Sequence, residues 1–311
     1  MHFLAIEIGG TKLQLFAGTG GGEIVERLRF SVDRSRGAEG IRLQIEAALP
    51  GLIEKWQPRG IGVGFGGPVR WKSGEILRSH HVEGWTDYPL AGWLTRQTGI
   101  PASIENDANV AALGEARHGA GRDYQNVFYI TLGTGVGGGM VNAGRIYHGA
   151  TPGEVEIGHV RLDREGTIVE NRCSGTAMDQ RILDEIQAHT DSALARLVRQ
   201  SPPGGEARHL RAALAAGDRV AESVVAEHVE TLAFALSHVV HLLHPEIIVL
   251  GGGLSLVGEP LRERVAAALP RHLMGAFLPG PHVALAGLGE DAVPVGALTL
   301  AAQMLEAEQG A

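Results

Sequence analysis

Two stretches of the chain share one pattern of apolar and polar positions. Phe3-Leu4-Ala5-Ile6-Glu7-Ile8 runs into Gly9-Gly10-Thr11-Lys12 and is followed by Leu13-Gln14-Leu15-Phe16-Ala17. Val127-Phe128-Tyr129-Ile130-Thr131-Leu132 runs into Gly133-Thr134-Gly135, and Gly139-Met140-Val141 follows after Val136-Gly137-Gly138. Each copy reads as a strand, a glycine turn and a returning strand. Elsewhere the period changes. Residues 40–56 carry Ile41, Ile45, Leu49, Leu52 and Ile53 at helical spacing, and 60–65 form a short apolar run that stops at Gly66-Gly67-Pro68. Residues 88–98 predict a helix, 102–105 a short strand and 108–118 a second helix. Two long helices are expected over 176–200 and 218–244, the latter stopped by Pro245. Ile247-Ile248-Val249-Leu250 before Gly251-Gly252-Gly253 predicts a buried parallel strand, and 294–306 a last amphipathic helix.

Strands alternating with helices predict the α/β class, here with a duplicated strand-hairpin core. The expected division is a smaller N-terminal domain over 1–115, a larger domain over 116–293, and a C-terminal helix, 294–311, packing back on the first. Glycine lets a turn bring consecutive N–H groups close to phosphate oxygens, so the two matched turns predict a nucleotide held between two domains. Neither turn has the G-x-x-x-x-G-K-[ST] or the dinucleotide fingerprint. Asn106-Asp107 falls where a strand gives way to a helix, the end of an open α/β sheet at which ligands bind. The same pair also reads as an ordinary helix cap.

Composition narrows the classes. The chain has 311 residues, 44% of them hydrophobic, enough for a large core in one domain or two. A net charge of −8 without blocks of like charge argues against a nucleic-acid partner. Lysine occurs only at Lys12, Lys55 and Lys72, which draws attention to Lys12 beside a glycine turn, although a solvated hairpin lysine is the ordinary reading. The single cysteine, Cys173, excludes an internal disulfide and a multi-cysteine zinc site. With no signal-like leader and no apolar stretch of spanning length, the expectation is a cytoplasmic protein without a membrane partner. His238, His241 and His244 recur at helical spacing, but no carboxylate or cysteine completes a metal set. His244 reads instead as serving the helix end.

Six segments in order resemble the ROK family of bacterial sugar kinases and related repressors: Ile8-Gly9-Gly10-Thr11-Lys12, Gly67-Pro68-Val69, Glu105-Asn106-Asp107-Ala108-Asn109, Leu132-Gly133-Thr134-Gly135-Val136-Gly137-Gly138-Gly139, Glu156-Ile157-Gly158-His159 and Val249-Leu250-Gly251-Gly252-Gly253. The resemblance covers essentially the whole chain. It implies the two-domain actin-like ATPase fold, related to ribonuclease H, and ATP- and Mg²⁺-dependent phosphorylation of a hexose, such as the 6-hydroxyl of glucose. It implies Asp107 as general base, with Asn106, Glu156, His159 and Glu170 on the other sugar hydroxyls and Gly66 and Gly67 approaching by backbone. ATP phosphates would be held by Gly9, Gly10, Thr11 and Lys12 and by Gly133, Thr134, Gly135 and Gly137, with Gly251, Gly252 and Gly253 near the adenosine. A homodimer is implied by resemblance alone. On the residues themselves, Glu156 and Glu170 also read as surface groups and His159 as a surface or core histidine.

Four features depart from the family pattern. Glu7 stands where relatives carry an aspartate that helps position Mg²⁺, one methylene longer. The segment 161–169 lacks the cysteines of the zinc module found in many relatives, so no zinc is expected. No helix-turn-helix precedes the first hairpin. His80-His81, before Gly84-Trp85, replaces the Pro-Asn of many relatives, which bears on the sugar taken. The competing readings are a sugar- or nucleotide-binding regulator without turnover, and a kinase for N-acetylmannosamine, fructose or allose.

Overall fold

A computed structural model of the protein describes residues 1–79, 82–153 and 155–309. Its first half follows the order β1 (His2–Ile8), β2 (Lys12–Thr19), β3 (Ile24–Ser31), α1 (Gly37–Trp56), β4 (Ile61–Phe65), β5 (Val69–Arg70), β6 (Glu75–Ile76), α2 (Leu90–Thr98), β7 (Ala102–Asn106) and α3 (Asp107–His118). Then come β8 (Asn126–Leu132), β9 (Val136–Asn142), β10 (Arg145–Ile146), α4 (Val169–Cys173), α5 (Gly175–Ala188), α6 (Ala193–Arg199), α7 (Leu210–Ala215) and α8 (Arg219–Leu243). The chain closes with β11 (Ile247–Gly251), α9 (Glu259–Ala268), β12 (His282–Leu285) and α10 (Ala292–Gln309). The first sheet is ordered β3-β2-β1-β4-β7 and the second β10-β9-β8-β11-β12. In both, a meander of three strands is extended by two parallel strands, so the duplication legible in the glycine turns holds for whole sheets.

The chain divides into two compact units, residues 1–125 with 139–155 and 290–311, and residues 126–138 with 156–289. The expected boundary at 115 falls inside α3, which runs unbroken past it. In the first unit β1 is buried on both faces, and its alternation sorts the core. Leu4, Ile6 and Ile8 pack with Ile41, Ile45, Leu49 and Leu52 of α1, while Phe3 and Ala5 pack with Val110 of α3 and Ala297, Leu298 and Ala301 of α10. Glycine sets the closeness of that second layer. A Cβ on Gly62 would stand 1.9 Å from the Ala297 carbonyl oxygen, and one on Gly296 1.8 Å from that of Val110.

In the second unit the expected helix over 176–200 is broken. It ends at Ala188 and restarts at Ala193. Ser192 Oγ caps the restart through Ala195 N–H at 3.0 Å, and Asp218 accepts from the N–H groups of Ala193 and Leu194. The other oxygen of Asp218 accepts from Val220 and Ala221, both at 2.9 Å, at the start of α8. Burial opposes that charge, yet the four donors hold the carboxyl below the usual carboxylate range. Strand β12, only four residues long, and helix α9 are not among the elements that the sequence pattern predicts.

His228, on α8, is fully buried, and burial, helped by the nearby Arg181, pushes its pKa down to about 4. The unfolded chain therefore binds a proton near pH 6.5 that the fold refuses until about 4, and stability must fall as pH drops through that window. Thermal unfolding from pH 7 to 4.5 should show a downward slope that is shallower in His228→Leu, by up to about 3 kcal/mol at the acid end. Parallel slopes would contradict it.

Candidate functional site

Each unit carries one set of the expected site residues. In the first, β7 ends at Asn106 and α3 begins at Asp107, because the Asn106 side chain supplies the cap. Its Oδ1 accepts from Ala108 N–H at 2.9 Å and Asn109 N–H at 3.3 Å, and its Nδ2 donates to the Gly67 carbonyl at 3.2 Å. Asn106 is therefore both the cap and the link to the Gly66-Gly67 turn. Asp107 is half-buried in the first helical turn, where the unsatisfied N–H groups and the helix dipole favour a negative charge. Its Oδ1 accepts from Ala108 N–H at 2.9 Å, and its Oδ2 lies 3.5 Å from where a Cβ on Gly66 would be. A Cβ on Gly67 would meet the Arg78 carbonyl oxygen at 2.9 Å, so the turn needs glycine. The N–H groups of Gly66 and Gly67 donate to Ile8 and Phe65 carbonyls, so the fold already uses both donors.

The first glycine turn is held from several sides. Gly9 N–H donates to the Lys12 carbonyl at 3.0 Å, Arg34 Nε to the Gly10 carbonyl at 2.8 Å, and Val32 N–H to the Thr11 carbonyl at 3.1 Å. Glu7 lies just before it, opposite Gln14 in the β1–β2 register. One oxygen accepts from Gln14 Nε2 at 2.7 Å and the other pairs with Lys12 Nζ at 2.9 Å. Lys12, expected on phosphate, is tied to Glu7. Among the described residues no three His, Cys, Asp or Glu side chains gather as a metal set. Mg²⁺ needs no such set, since it is commonly held by one or two carboxylates, water and substrate phosphates. Glu7, with both oxygens taken, fits a role through the water around such an ion.

In the second unit Gly133 N–H donates to the Gly135 carbonyl at 3.0 Å, Gly175 N–H to the Gly133 carbonyl at 2.6 Å, and Thr176 Oγ1 to the Thr134 carbonyl at 2.9 Å. Glu170, expected on a sugar hydroxyl, accepts from Val136 N–H at 2.9 Å through Oε2, which lies 2.4 Å from a Cβ built on Gly135. It fastens the 133–137 turn. Glu156 and His159 are exposed at the two ends of a 3-10 turn, whose Gly158 sits where a Cβ would be 2.2 Å from the Val136 carbonyl oxygen.

A cleft of about 680 Å³ opens in this unit between Leu132-Gly133-Thr134, the start of α5 (Gly175, Thr176, Asp179), Gly205 to Arg208, and the turn from Gly253 to Val257. That volume suits a nucleoside. Of the three glycines after β11, Gly253 lines the cleft, while Gly251 and Gly252 make room for the Tyr129 hydroxyl and the Leu132 backbone. Burial raises the Asp179 carboxyl from its ordinary value, against the hydrogen bond it accepts from Ala207 N–H at 2.8 Å.

The sequence reading missed Gln14, Arg34, Asp179 and Arg208. Only Gln14 leaves a trace there, as a polar residue inside the apolar β2. His80 and His81 lie outside the described residues. His241 Nε2 accepts from Met274 N–H at 3.2 Å and His244 stacks on Phe277, so this helix face is engaged by the chain itself. Burial pushes the Cys173 thiol up to about 12. Among the described residues no helix is long and apolar enough to cross a membrane.

The sequence pattern of the ROK family matches residues 3–304. The glucokinase of Halalkalibacterium halodurans is 32% identical over 94% of this chain and 93% of its own length. That of Thermotoga maritima is 30% identical over 96% of this chain and 97% of its own. The crystal structure of a ROK family glucokinase from Streptomyces griseus, in complex with glucose and AMPPNP, superposes with a TM-score of 0.84 at 31% identity, over 97% of this chain and 100% of that one. With a pair of like-ordered sheets, matched glycine turns and an asparagine at the end of β7 that caps the helix opened by Asp107, this chain has the actin-like ATPase fold and belongs to the ROK family.

Proposed function

We propose that the protein is an ATP-dependent sugar kinase that phosphorylates a hexose, at the 6-hydroxyl of glucose or a related sugar, with Asp107 as general base. The observation that carries this reading is the placement of Asp107, in the first turn of α3, with one carboxylate oxygen bonded to a backbone N–H and the other over Gly66. The glucokinase relatives and the neighbour holding glucose and AMPPNP support it. In this mechanism the sugar hydroxyl gives its proton to Asp107 as the oxygen bonds to the γ-phosphorus of ATP, and the bond to the β,γ-bridging oxygen breaks to release ADP. Asn106 orients the base by fixing the helix start. Glu156, His159 and Glu170 bind other hydroxyls, Glu170 through the oxygen not on Val136. In the turns 9–12 and 133–137, backbone N–H groups other than those of Gly9, Gly133 and Val136, which the fold already uses, would meet the phosphates, and the cleft beside Gly253 takes the adenosine. Mg²⁺, with Glu7 acting on its water shell, would supply charge neutralisation on the phosphates. A cytoplasmic homodimer without zinc belongs to the same proposal.

The pairing of Glu7 with Lys12 favours one alternative, a sugar- or nucleotide-binding regulator in which the loop charges cancel and turnover is lost. A panel of glucose, N-acetylmannosamine, fructose and allose with ATP and Mg²⁺, read by sugar-dependent ADP release, separates the readings. ADP release with one of them is expected. Sugar binding without ADP release would leave the regulator.

Asp107→Asn keeps the shape of the side chain but cannot take the proton, so turnover should fall roughly 10²–10⁴-fold while calorimetric sugar affinity survives. Near-normal turnover would remove Asp107 as base. Glu7→Gln, which loses the charge facing Lys12, should sharply raise the Mg²⁺ concentration needed for half-maximal turnover, and Glu7→Asp should be tolerated. Superimposable Mg²⁺ curves for wild type and Glu7→Gln would leave Glu7 a structural carboxylate.

A further inference from the structure

Two residues before the proposed base lies a carboxylate that this mechanism does not use. Glu105, on β7 opposite Gly64 of β4, is only 3% exposed. A carboxylate withdrawn from water is costly unless it is paired and hydrogen-bonded. Its Oε1 meets His148 Nε2, an ion pair when the imidazole is protonated. Its Oε2 lies 3.4 Å from Asn109 Nδ2. His148 belongs to the segment after β10, and its ring stacks on the Trp71 indole with centroids 3.9 Å apart and planes at 15°. Asn109 Nδ2 also reaches the Gly153 carbonyl at 3.4 Å, and Asn109 N–H is one of the two donors that Asn106 caps. A Cβ on Gly153 would stand 3.2 Å from Trp71 Cδ1, so the end of the same segment lies close against that ring. One buried carboxylate thus joins the 148–153 segment to the first turn of α3.

We propose that Glu105 and His148 form a positioning pair that fixes the first turn of α3, and with it the direction of the Asp107 carboxylate, while the Trp71 ring fixes the plane of the imidazole. The proposal rests on the reading of Asp107 as base. Neither partner touches the reacting atoms. If His148 cannot donate, the buried charge of Glu105 keeps, among the described residues, only Asn109, a donor on α3 itself, and draws that turn toward the strand. A base displaced by a fraction of an ångström costs turnover more than it costs sugar binding.

The test is a double-mutant cycle on the full chain, with the hexose that gives turnover, ATP and Mg²⁺. His148→Leu should lower kcat about 10–100-fold, the scale of a misplaced reacting group, and move the hexose KM less than about threefold. His148→Gln, which still offers a donor to the carboxylate, should recover most of that loss. Glu105→Gln combined with His148→Leu should exceed His148→Leu alone in both kcat and thermal midpoint, because a neutral amide needs no cation. In an Asp107→Asn background, His148→Leu should cost no further turnover. Additive effects, a loss confined to KM, or a His148→Leu kcat within about twofold of wild type would overturn the pair's role. Should His148→Leu fail to fold, Trp71→Leu carries the test, since it leaves both partners in place. A fall in kcat at constant KM then supports the proposal and an unchanged kcat overturns it. A wild type that turns over no hexose overturns the kinase reading and this proposal together, whereas an active wild type indifferent to His148 and Trp71 overturns this proposal alone.

Discussion

The side-chain amide of Asn106 is the constraint on which the first unit's chemistry depends. A strand that ends and a helix that begins in adjacent residues leave backbone donors without partners, and some side chain must supply the acceptor. Asn106 does so for Ala108 and Asn109, and its Nδ2 donates to the Gly67 carbonyl. The end of β7, the start of α3 and the glycine turn after β4 are thereby held by one residue. Asp107 inherits its position from that arrangement. An aspartate in the same place would supply the acceptor but not the donor to Gly67, which is why the amide suits this junction better than the carboxylate beside it.

The two glycine turns show a second use of side chains, to hold the turn itself in place. Lys12 and Gln14 both engage Glu7, Arg34 holds the Gly10 carbonyl, and Glu170 takes the Val136 N–H. Glycine permits the approach and supplies no rigidity of its own. Neighbouring charged groups supply it instead, and a preorganised set of amides is what phosphoryl transfer needs most from a protein.

Much of this was legible in the sequence because local chemistry determines it. Largely apolar runs ending in glycine give β1, β8 and β11, and the Asn-Asp pair after a short strand gives the start of α3. What escaped depends on residues far apart in the chain. The break between α5 and α6 is fixed by Asp218, about 25 positions beyond it. The partner of Glu105 is 43 positions away, and Glu170 meets Val136 across 34. Periodicity cannot report such pairs, since the polar residue looks solvated until the fold brings its partner.

The central claim is that a hexose hydroxyl meets Asp107 for proton transfer. A crystal structure of the protein with the hexose it turns over and a non-hydrolysable ATP analogue tests that claim most directly. The account predicts the reacting hydroxyl within hydrogen-bond distance of the Asp107 carboxylate, with Asn106 still capping α3. A sugar bound with that hydroxyl away from Asp107, facing another acid or only solvent, would contradict it.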